Sequence, residues 1–214
     1  STYQNIGEIS AKGFEATIGL PDLLNKDNFH WSTDLVFQTG KVTLEQVGRT
    51  DTFYHSYIGA PGFCCGGYGT LYDGVSLGEF YGAVREGINA DGSIRFKDIN
   101  RDGVINTSDF TQDQTAIGNG MPTWQLGWNN SVTWGHFDLN LFFRGALGHQ
   151  LVHEFRVFHE NLNPSNTSWN HVITKYFDPK VKDFNRFEDA KVESASFLRL
   201  DNLTLGYTLP PISR

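Results

Sequence analysis

The sequence predicts an all-β protein built on long antiparallel strands. Three observations carry that prediction. Hydrophobic residues recur with a period of two through five separate runs, glycine and aromatics are abundant while charge is scarce, and short turns alternate with very long connections. Of 214 residues, 23 are Gly, about a tenth of the chain against a usual level of about 7%. Aromatics reach 14% and charged residues only 19%, below the ~25% of an ordinary soluble domain. Disorder is excluded by this apolar content, and a helical bundle by the glycine. The net charge of −7 removes a general case for nucleic-acid binding, because no basic excess is available to neutralise phosphates.

The first run, Ile9 to Leu20, places Phe14, Ala16, Ile18 and Leu20 on one face and Glu15, Thr17 and Gly19 on the other. A turn region over Pro21–Asn28 follows. In the second run, Phe29, Trp31, Thr33, Leu35 and Phe37 alternate with His30, Ser32, Asp34, Val36 and Gln38. The third is the cleanest: Trp124, Leu126, Trp128, Val132 and Trp134 share a face interrupted only by Asn130. Gly135-His136 is a two-residue hairpin turn. The fourth run returns with Phe137, Leu139, Leu141 and Phe143 against Asp138, Asn140, Phe142 and Arg144. The fifth, Phe197 to Leu209, sets Leu203, Leu205, Tyr207 and Leu209 against Asn202, Thr204, Gly206 and Thr208.

These runs approach or exceed ten residues, against a usual strand length of ~5–6. Strands of ~9–11 residues, apolar outward and small or polar inward, suit a membrane barrel. A soluble β-protein also alternates, and the pattern alone leaves both open. The connections over residues 40–122 and 149–194 are far longer than the ~12–15 residues of an ordinary loop, whereas the hairpin links are short. Short turns at one end and long loops at the other favour the barrel. No segment offers the ~20 predominantly apolar residues of a membrane helix.

One local motif carries chemistry. Asp98 to Asp109 reads D-x-N-x-D-G-x-I-N-x-x-D, a calcium-loop spacing with oxygen ligands at positions 1, 3, 5, 7, 9 and 12. Asp98, Asn100, Asp102 and Asp109 would supply side-chain oxygens, Val104 its carbonyl, and Asn106 a direct or water-mediated contact. Gly103 provides the sharp turn, and Ile105 is expected to anchor the loop in an apolar pocket. The flanks do not read as two helices, since Ser93-Ile94-Arg95-Phe96 is extended, so the motif resembles the loop of dockerin-like modules, a structural Ca2+ site. The alternative is a solvated Asp/Asn/Gly turn that satisfies its own backbone.

Catalytic constellations are poor. The chain has no H-E-x-x-H and no phosphate loop, which predicts a non-enzyme with no catalytic residue. His149 and His153 have i, i+4 spacing, but Gly148 and the absence of a third ligand favour a loop surface over a zinc site. Cys64 and Cys65 are adjacent. Their Cα atoms, ~3.8 Å apart, fall below the ~4.4 Å lower limit of a relaxed disulfide, which predicts free thiols. Phe63, Tyr68, Tyr72, Phe80, Tyr81 and Trp169 line either a sugar- or peptide-contacting surface or small cores beneath long loops.

Three stretches match a known family. One runs from the calcium-like loop through Asp113-Gln114-Thr115-Ala116-Ile117-Gly118-Asn119-Gly120-Met121-Pro122-Thr123-Trp124. A second joins Gly127-Trp128-Asn129-Asn130 to Phe137-Asp138-Leu139-Asn140-Leu141-Phe142-Phe143-Arg144-Gly145, and a third is Glu193 to Pro210. With Lys12-Gly13-Phe14-Glu15 and Gly78-Glu79-Phe80-Tyr81-Gly82, they resemble the C-terminal barrel region of SusC/RagA-type TonB-dependent outer-membrane transporters. The resemblance implies part of a large antiparallel transmembrane β-barrel, ~22 strands in the family, with short periplasmic turns and long extracellular loops. It implies that residues 1–214 hold about five strands, with the plug domain and last strands absent. Met121 is the only methionine, in keeping with a piece of a longer polypeptide. Further implications are a place in the outer membrane of a Gram-negative bacterium amid its lipid, a SusD-like surface lipoprotein as lid, and TonB as partner through the missing N-terminal region. The substrate would be an oligosaccharide or peptide, and calcium in loop 98–109 would brace an extracellular loop. The rival expectation is a secreted soluble calcium-stabilised β-module that binds glycans or mediates adhesion. In that case Trp31, Phe37, Trp128, Trp134, Phe143 and Tyr207 should lie buried beneath a second sheet.

Overall fold

The computed structural model describes residues 7–47, 54–56, 68–107, 112–160, 172–182 and 187–210. Five long strands dominate: β1 (Glu8–Lys26), β2 (Phe29–Gln46), β10 (Trp124–Trp134), β11 (Phe137–Leu147) and β14 (Phe197–Tyr207). They form one sheet in the order β1-β2-β10-β11-β14. Between them lie short strands: β3 (Tyr54–Ser56), β4 (Gly69–Leu71), β5 (Val75–Ser76), β6 (Glu79–Gly82), β7 (Arg85–Ile88), β8 (Ile94–Phe96), β9 (Thr115–Asn119), β12 (Gln150–Val152) and β13 (Val192–Ser194). The one α-helix among the described residues, α1 (Glu154–His159), has six residues.

The strands follow the period-two runs, and the Gly135-His136 turn sits where its residues place it, with Gly135 at φ 60°. Residues 21–26 depart from expectation. They continue β1 rather than forming a turn, and the reversal is confined to Asp27-Asn28, with Asp27 at φ 52°. Pro21 lies within β1, which pairs with β2. Register is continuous between β10 and both neighbours: Trp128 lies opposite Leu35 of β2 and Phe143 of β11. Between β11 and β14 it shifts, since Phe142 faces Asn202 and Phe143 faces Leu200, which leaves Asp201 as a β-bulge.

The chain divides into two compact units. The sheet unit comprises residues 11–41, 122–149 and 195–214, and the loop unit 1–10, 42–121 and 150–194. The long connections thus carry structure of their own, in paired short strands β3–β4, β6–β9, β7–β8 and β12–β13. Among the described residues their buried apolar side chains are Leu44, Tyr68, Val75, Ala83, Phe96 and Val157. Charge supplements them. Arg156 on α1 is buried, donates from Nε to Glu160 at 2.7 Å, and pairs with Glu193. Lys191 Nζ reaches Glu160 at 3.2 Å, and the Thr174 hydroxyl donates to the same carboxylate. Burial alone would raise the Glu160 carboxyl, but the Thr174 and Arg156 hydrogen bonds and the Lys191 charge hold it below its usual range.

Such a cluster is costly to break, because the surviving partner charges stay in a poorly solvated site. Arg156→Ala in the full-length chain is expected to destabilise the loop unit by about 3–5 kcal/mol. Hydrogen exchange over residues 150–160 and 187–194 checks this, and unchanged protection there would refute a stabilising role for the cluster.

Candidate functional site

The five-stranded sheet has two chemically opposed faces. Trp31, Leu35, Phe37, Trp124, Leu126, Trp128, Leu139, Leu141, Phe143, Leu203 and Leu205 share one of them through the pairing register. Asp34, Gln38, Gln125, Asn129, Ser131, Asp138, Asn140, Arg144, Asn202 and Thr204 share the other. Among the described residues no second sheet covers the apolar face. Trp134 is 67% exposed, Leu203 60% and Leu205 67%. The six aromatics named as a discriminator do not lie beneath a second sheet: Trp128, Trp134 and Tyr207 are exposed and Trp31, Phe37 and Phe143 half-buried. This observation weighs against the soluble rival.

Polar groups on the apolar face are paired with one another. Asn130, which interrupts the alternation in sequence, is buried and its Oδ1 accepts from Trp31 Nε1 at 3.3 Å. Its cross-strand partner Thr33 accepts from Trp128 Nε1 at 2.8 Å and donates to the Asn129 carbonyl at 3.1 Å. Aromatic rings gather at both ends of the face. Trp134, Phe137 and Tyr207 lie at the hairpin end, with the Phe137 and Tyr207 rings 4.8 Å apart. Phe37 and Trp124 lie at the other, 5.1 Å apart. From Trp124 to Trp134 is ten residue steps, about 34 Å of strand, or roughly 24–26 Å normal to a membrane at a tilt of about 40–45°. That height matches the ~25 Å apolar band of outer-membrane barrels.

The 98–107 part of the calcium-like loop is an internally bonded turn. Asp98 Oδ1 accepts from Arg101 N at 2.5 Å and its Oδ2 from Gly103 N at 2.8 Å. Asn100 Oδ1 accepts from Asp102 N at 3.0 Å, and Asp102 Oδ1 from Val104 N at 2.7 Å. Asn100 Nδ2 also donates to Asp102 Oδ2 at 3.0 Å, which brings positions 3 and 5 together. Arg101 at φ 63° and Gly103 at φ 83° adopt the left-handed conformation the sharp turn requires. Asp109 lies outside the described residues. Among those described, no group of three or more His, Cys, Asp or Glu is placed to hold a metal. Ile105 does not fill an apolar pocket. It is 47% exposed, because the loop is closed by polar contacts rather than by apolar burial.

The residue that closes the loop lies outside the twelve-residue motif. Asp113 is fully buried and accepts from Ile99 N at 2.9 Å and from Asn106 N at 2.6 Å, clamping both ends of the turn. The Asn106 amide does most to hold its carboxyl below the usual range; burial opposes this, and the Ile99 and Asn100 amides add to it. The spacing alone could not reveal it, because an acid at this distance belongs to no ligand pattern.

The remaining candidates resolve into structure. His153 caps α1, its Nδ1 accepting from Arg156 N at 3.3 Å, and the His159 ring lies 4.7 Å from Phe155. His149 meets the Phe197 ring edge-on. The Tyr68 ring packs 4.6 Å from Phe187, and Tyr72 and Tyr81 pack edge to face. Burial, then Glu154 at Tyr68 and Glu79 at Tyr72, pushes both phenols up, so they remain protonated donors. These described aromatics form small cores. Phe63, Trp169, Cys64 and Cys65 lie outside the described residues.

A two-faced antiparallel sheet with rings at both rims defines a stretch of an outer-membrane-type barrel wall. Comparison with known proteins specifies the type. No family model matches the chain. TonB-dependent receptor P3 of Formosa agariphila is 28% identical over 98% of the chain, which covers 23% of that protein. TonB-dependent receptor SusC of Bacteroides thetaiotaomicron is 24% identical over 96% of the chain and 21% of its own length. Among solved structures, the RagAB peptide transporter superposes with a TM-score of 0.73 at 21% identity, covering 97% of this chain and 23% of that one. The chain resembles SusC/RagA-type TonB-dependent receptors over nearly its whole length, and its fold is that of part of their barrel. It spans about a quarter of the length of the curated relatives it matches. Those relatives are receptors and transporters rather than enzymes.

The Asp113 clamp makes the turn acid-sensitive. Because its carboxyl is depressed in the fold, its contribution is complete above the unfolded value of ~3.9 and is lost as pH falls through the lower folded value. Asp113→Ala is expected to cost about 1–3 kcal/mol locally, by leaving two amides without their acceptor. Amide exchange at Ile99 and Asn106 should accelerate in the variant at neutral pH and in the native chain only under acid.

Proposed function

We propose that this chain forms part of the wall of a TonB-dependent outer-membrane importer in a Gram-negative bacterium. The carrying observation is the exposed apolar face, about 25 Å high, ringed by aromatics and backed by a polar face suited to a pore. No charged side chain lies on that face between Trp124 and Trp134 or between Phe137 and Leu147. Five strands do not close a barrel, whose minimum is about eight, so import belongs to the full-length protein. The likeness to SusC and to the RagAB peptide transporter supports uptake of an oligosaccharide or peptide, with a SusD-like lipoprotein as lid and TonB supplying the coupling. The whole acts by gated passage and performs no bond chemistry.

Membrane placement has a face-specific test. Leu203 points from near mid-height of the apolar face, and its neighbour Thr204 from the polar face. Leu203→Arg in the full-length protein is expected to cost about 2–4 kcal/mol in membrane stability and to lower assembled barrel, whereas Thr204→Arg is tolerated. Equal effects, measured by heat-modifiable migration and urea unfolding in lipid, would sink the reading.

Loop 98–109 serves this importer as a structural Ca2+ brace, with Asp98, Asn100, Asp102, Val104, Asn106 and Asp109 as ligands. The support is the ligand spacing and a turn already held in the required left-handed geometry at Gly103. Calcium added to chelator-treated full-length protein should protect residues 98–109 from hydrogen exchange. Asp98→Asn with Asp102→Asn should abolish that response. Protection indifferent to calcium in the native protein would overturn the assignment.

A further inference from the structure

The polar face carries one feature that a structural role leaves unexplained. Arg144 of β11 and Arg199 of β14 are direct cross-strand partners, a like-charge pairing that destabilises a sheet. The bulge at Asp201 places a carboxylate beside them. Arg144 Nε lies 3.2 Å from Asp201 Oδ2, and Arg199 Nε lies 2.7 Å from Oδ1. In each pair the nitrogen recorded against Asp201 is the inner Nε. Among the described residues the terminal nitrogens of both have no hydrogen-bond partner, and both side chains are about half exposed. The guanidinium of Arg199 is further fixed by lying 5.3 Å from the Phe197 ring centroid.

Among the described residues, Asp201 is the acid paired with each arginine. Beside Arg144 on its other flank is Gly127, and along its own strand face lie Phe142 and Ala146. The Phe142 ring sits about 3.5 Å from where a Gly127 side chain would begin, so the missing side chain leaves room for an apolar platform next to the cations. Two guanidinium charges and one carboxylate leave a net charge of +1. That balance fits a singly charged oxyanion, whose oxygens the two outward forks can bind in parallel, better than a doubly charged phosphate. The cluster also lies within two or three residues of the sheet end where the long connections begin, at Leu147 and Phe197.

We infer that Arg144, Arg199 and Asp201, with Phe142 beside them, form a subsite on the pore wall for a solute bearing a carboxylate or a sulfate ester. The assignment rests on the importer reading and narrows its substrate class to anionic solutes. Asp201 holds the two forks and sets their charge; Phe142 takes the apolar part of the solute.

Binding to the purified full-length protein in detergent tests it, using matched probes measured by isothermal titration. The pairs are tetra-alanine acid and its C-terminal amide, trigalacturonate and neutral galactotriose, and a sulfated trisaccharide and its desulfated form. In at least one pair the anionic member should bind about tenfold or more tightly, and which pair responds identifies peptide carboxylate, uronate or sulfate as the source. Arg144→Gln with Arg199→Gln should collapse that ratio, and Asp201→Asn should widen it. Absence of anion preference in all three pairs overturns the subsite, as does a preference that survives the double arginine variant. Cell fractionation separates this failure from failure of the importer reading: a full-length protein absent from the outer membrane refutes both, one present there without anion preference refutes the subsite alone.

Discussion

A strand facing hydrocarbon can carry no polar group that lacks an internal partner, and the apolar face of the sheet is built around that constraint. Backbone groups of the paired strands meet it through the β2-β10-β11-β14 ladder. Side chains meet it in pairs. Trp31 and Trp128 each bring an indole N–H to the face, and each finds an acceptor on an adjacent strand, in Asn130 and Thr33 respectively. Because Thr33 and Asn130 are themselves directly opposite, the two bonds cross the same strand junction and fix its register. A one-residue slip would break both and turn the apolar set toward the polar face.

The loop unit obeys a different rule. Among its described residues, few apolar side chains are buried, and order comes also from charges and carboxylate–amide contacts: Arg156 with Glu160 and Glu193, and Asp113 across the turn. Such contacts are directional and stop working when one partner is protonated or lost. They suit long connections that must hold a shape without a thick core. The phenols of the buried Tyr68 and the half-buried Tyr72 follow the same rule, each hydroxyl donating to a glutamate.

Much of the sheet was legible because period-two alternation reports directly on which face a residue occupies. The five runs, the Gly135-His136 turn and both faces follow from it. Pro21 misled because its turn preference is local, whereas the extent of β1 is decided by pairing with a neighbouring strand. Asn130 looked like an interruption for the same reason: its partner Trp31 is 99 residues away. In the calcium-like loop the Gly103 turn was readable from spacing, but Asp113 was not, since burial and not pattern gives it its role. Ile105 was assigned to a pocket by analogy with a motif whose flanking helices are missing here, and without them nothing covers it.

The bulge at Asp201 shows how function can enter such a wall at small structural cost. Without the inserted residue β14 could not keep both ends in place: with Arg199 opposite Arg144, Asn202 would fall opposite Leu141 on the apolar face and Leu203 opposite Asn140 on the polar one. The inserted residue also sets the Asp201 carboxylate beside both arginines and offsets part of their charge. It does not cancel it. A pore-wall site must hold its solute strongly enough to select it and weakly enough to release it onward. Two unshared guanidinium groups would favour retention, and a fully neutralised pair would offer no selection. A shared carboxylate leaves the cluster between those limits, on a face where Glu15, Asp34 and Asp138 otherwise make anions unwelcome. The positive site is thus local on a wall of opposite sign, so an anion bound there is held at one level and repelled from those beyond it.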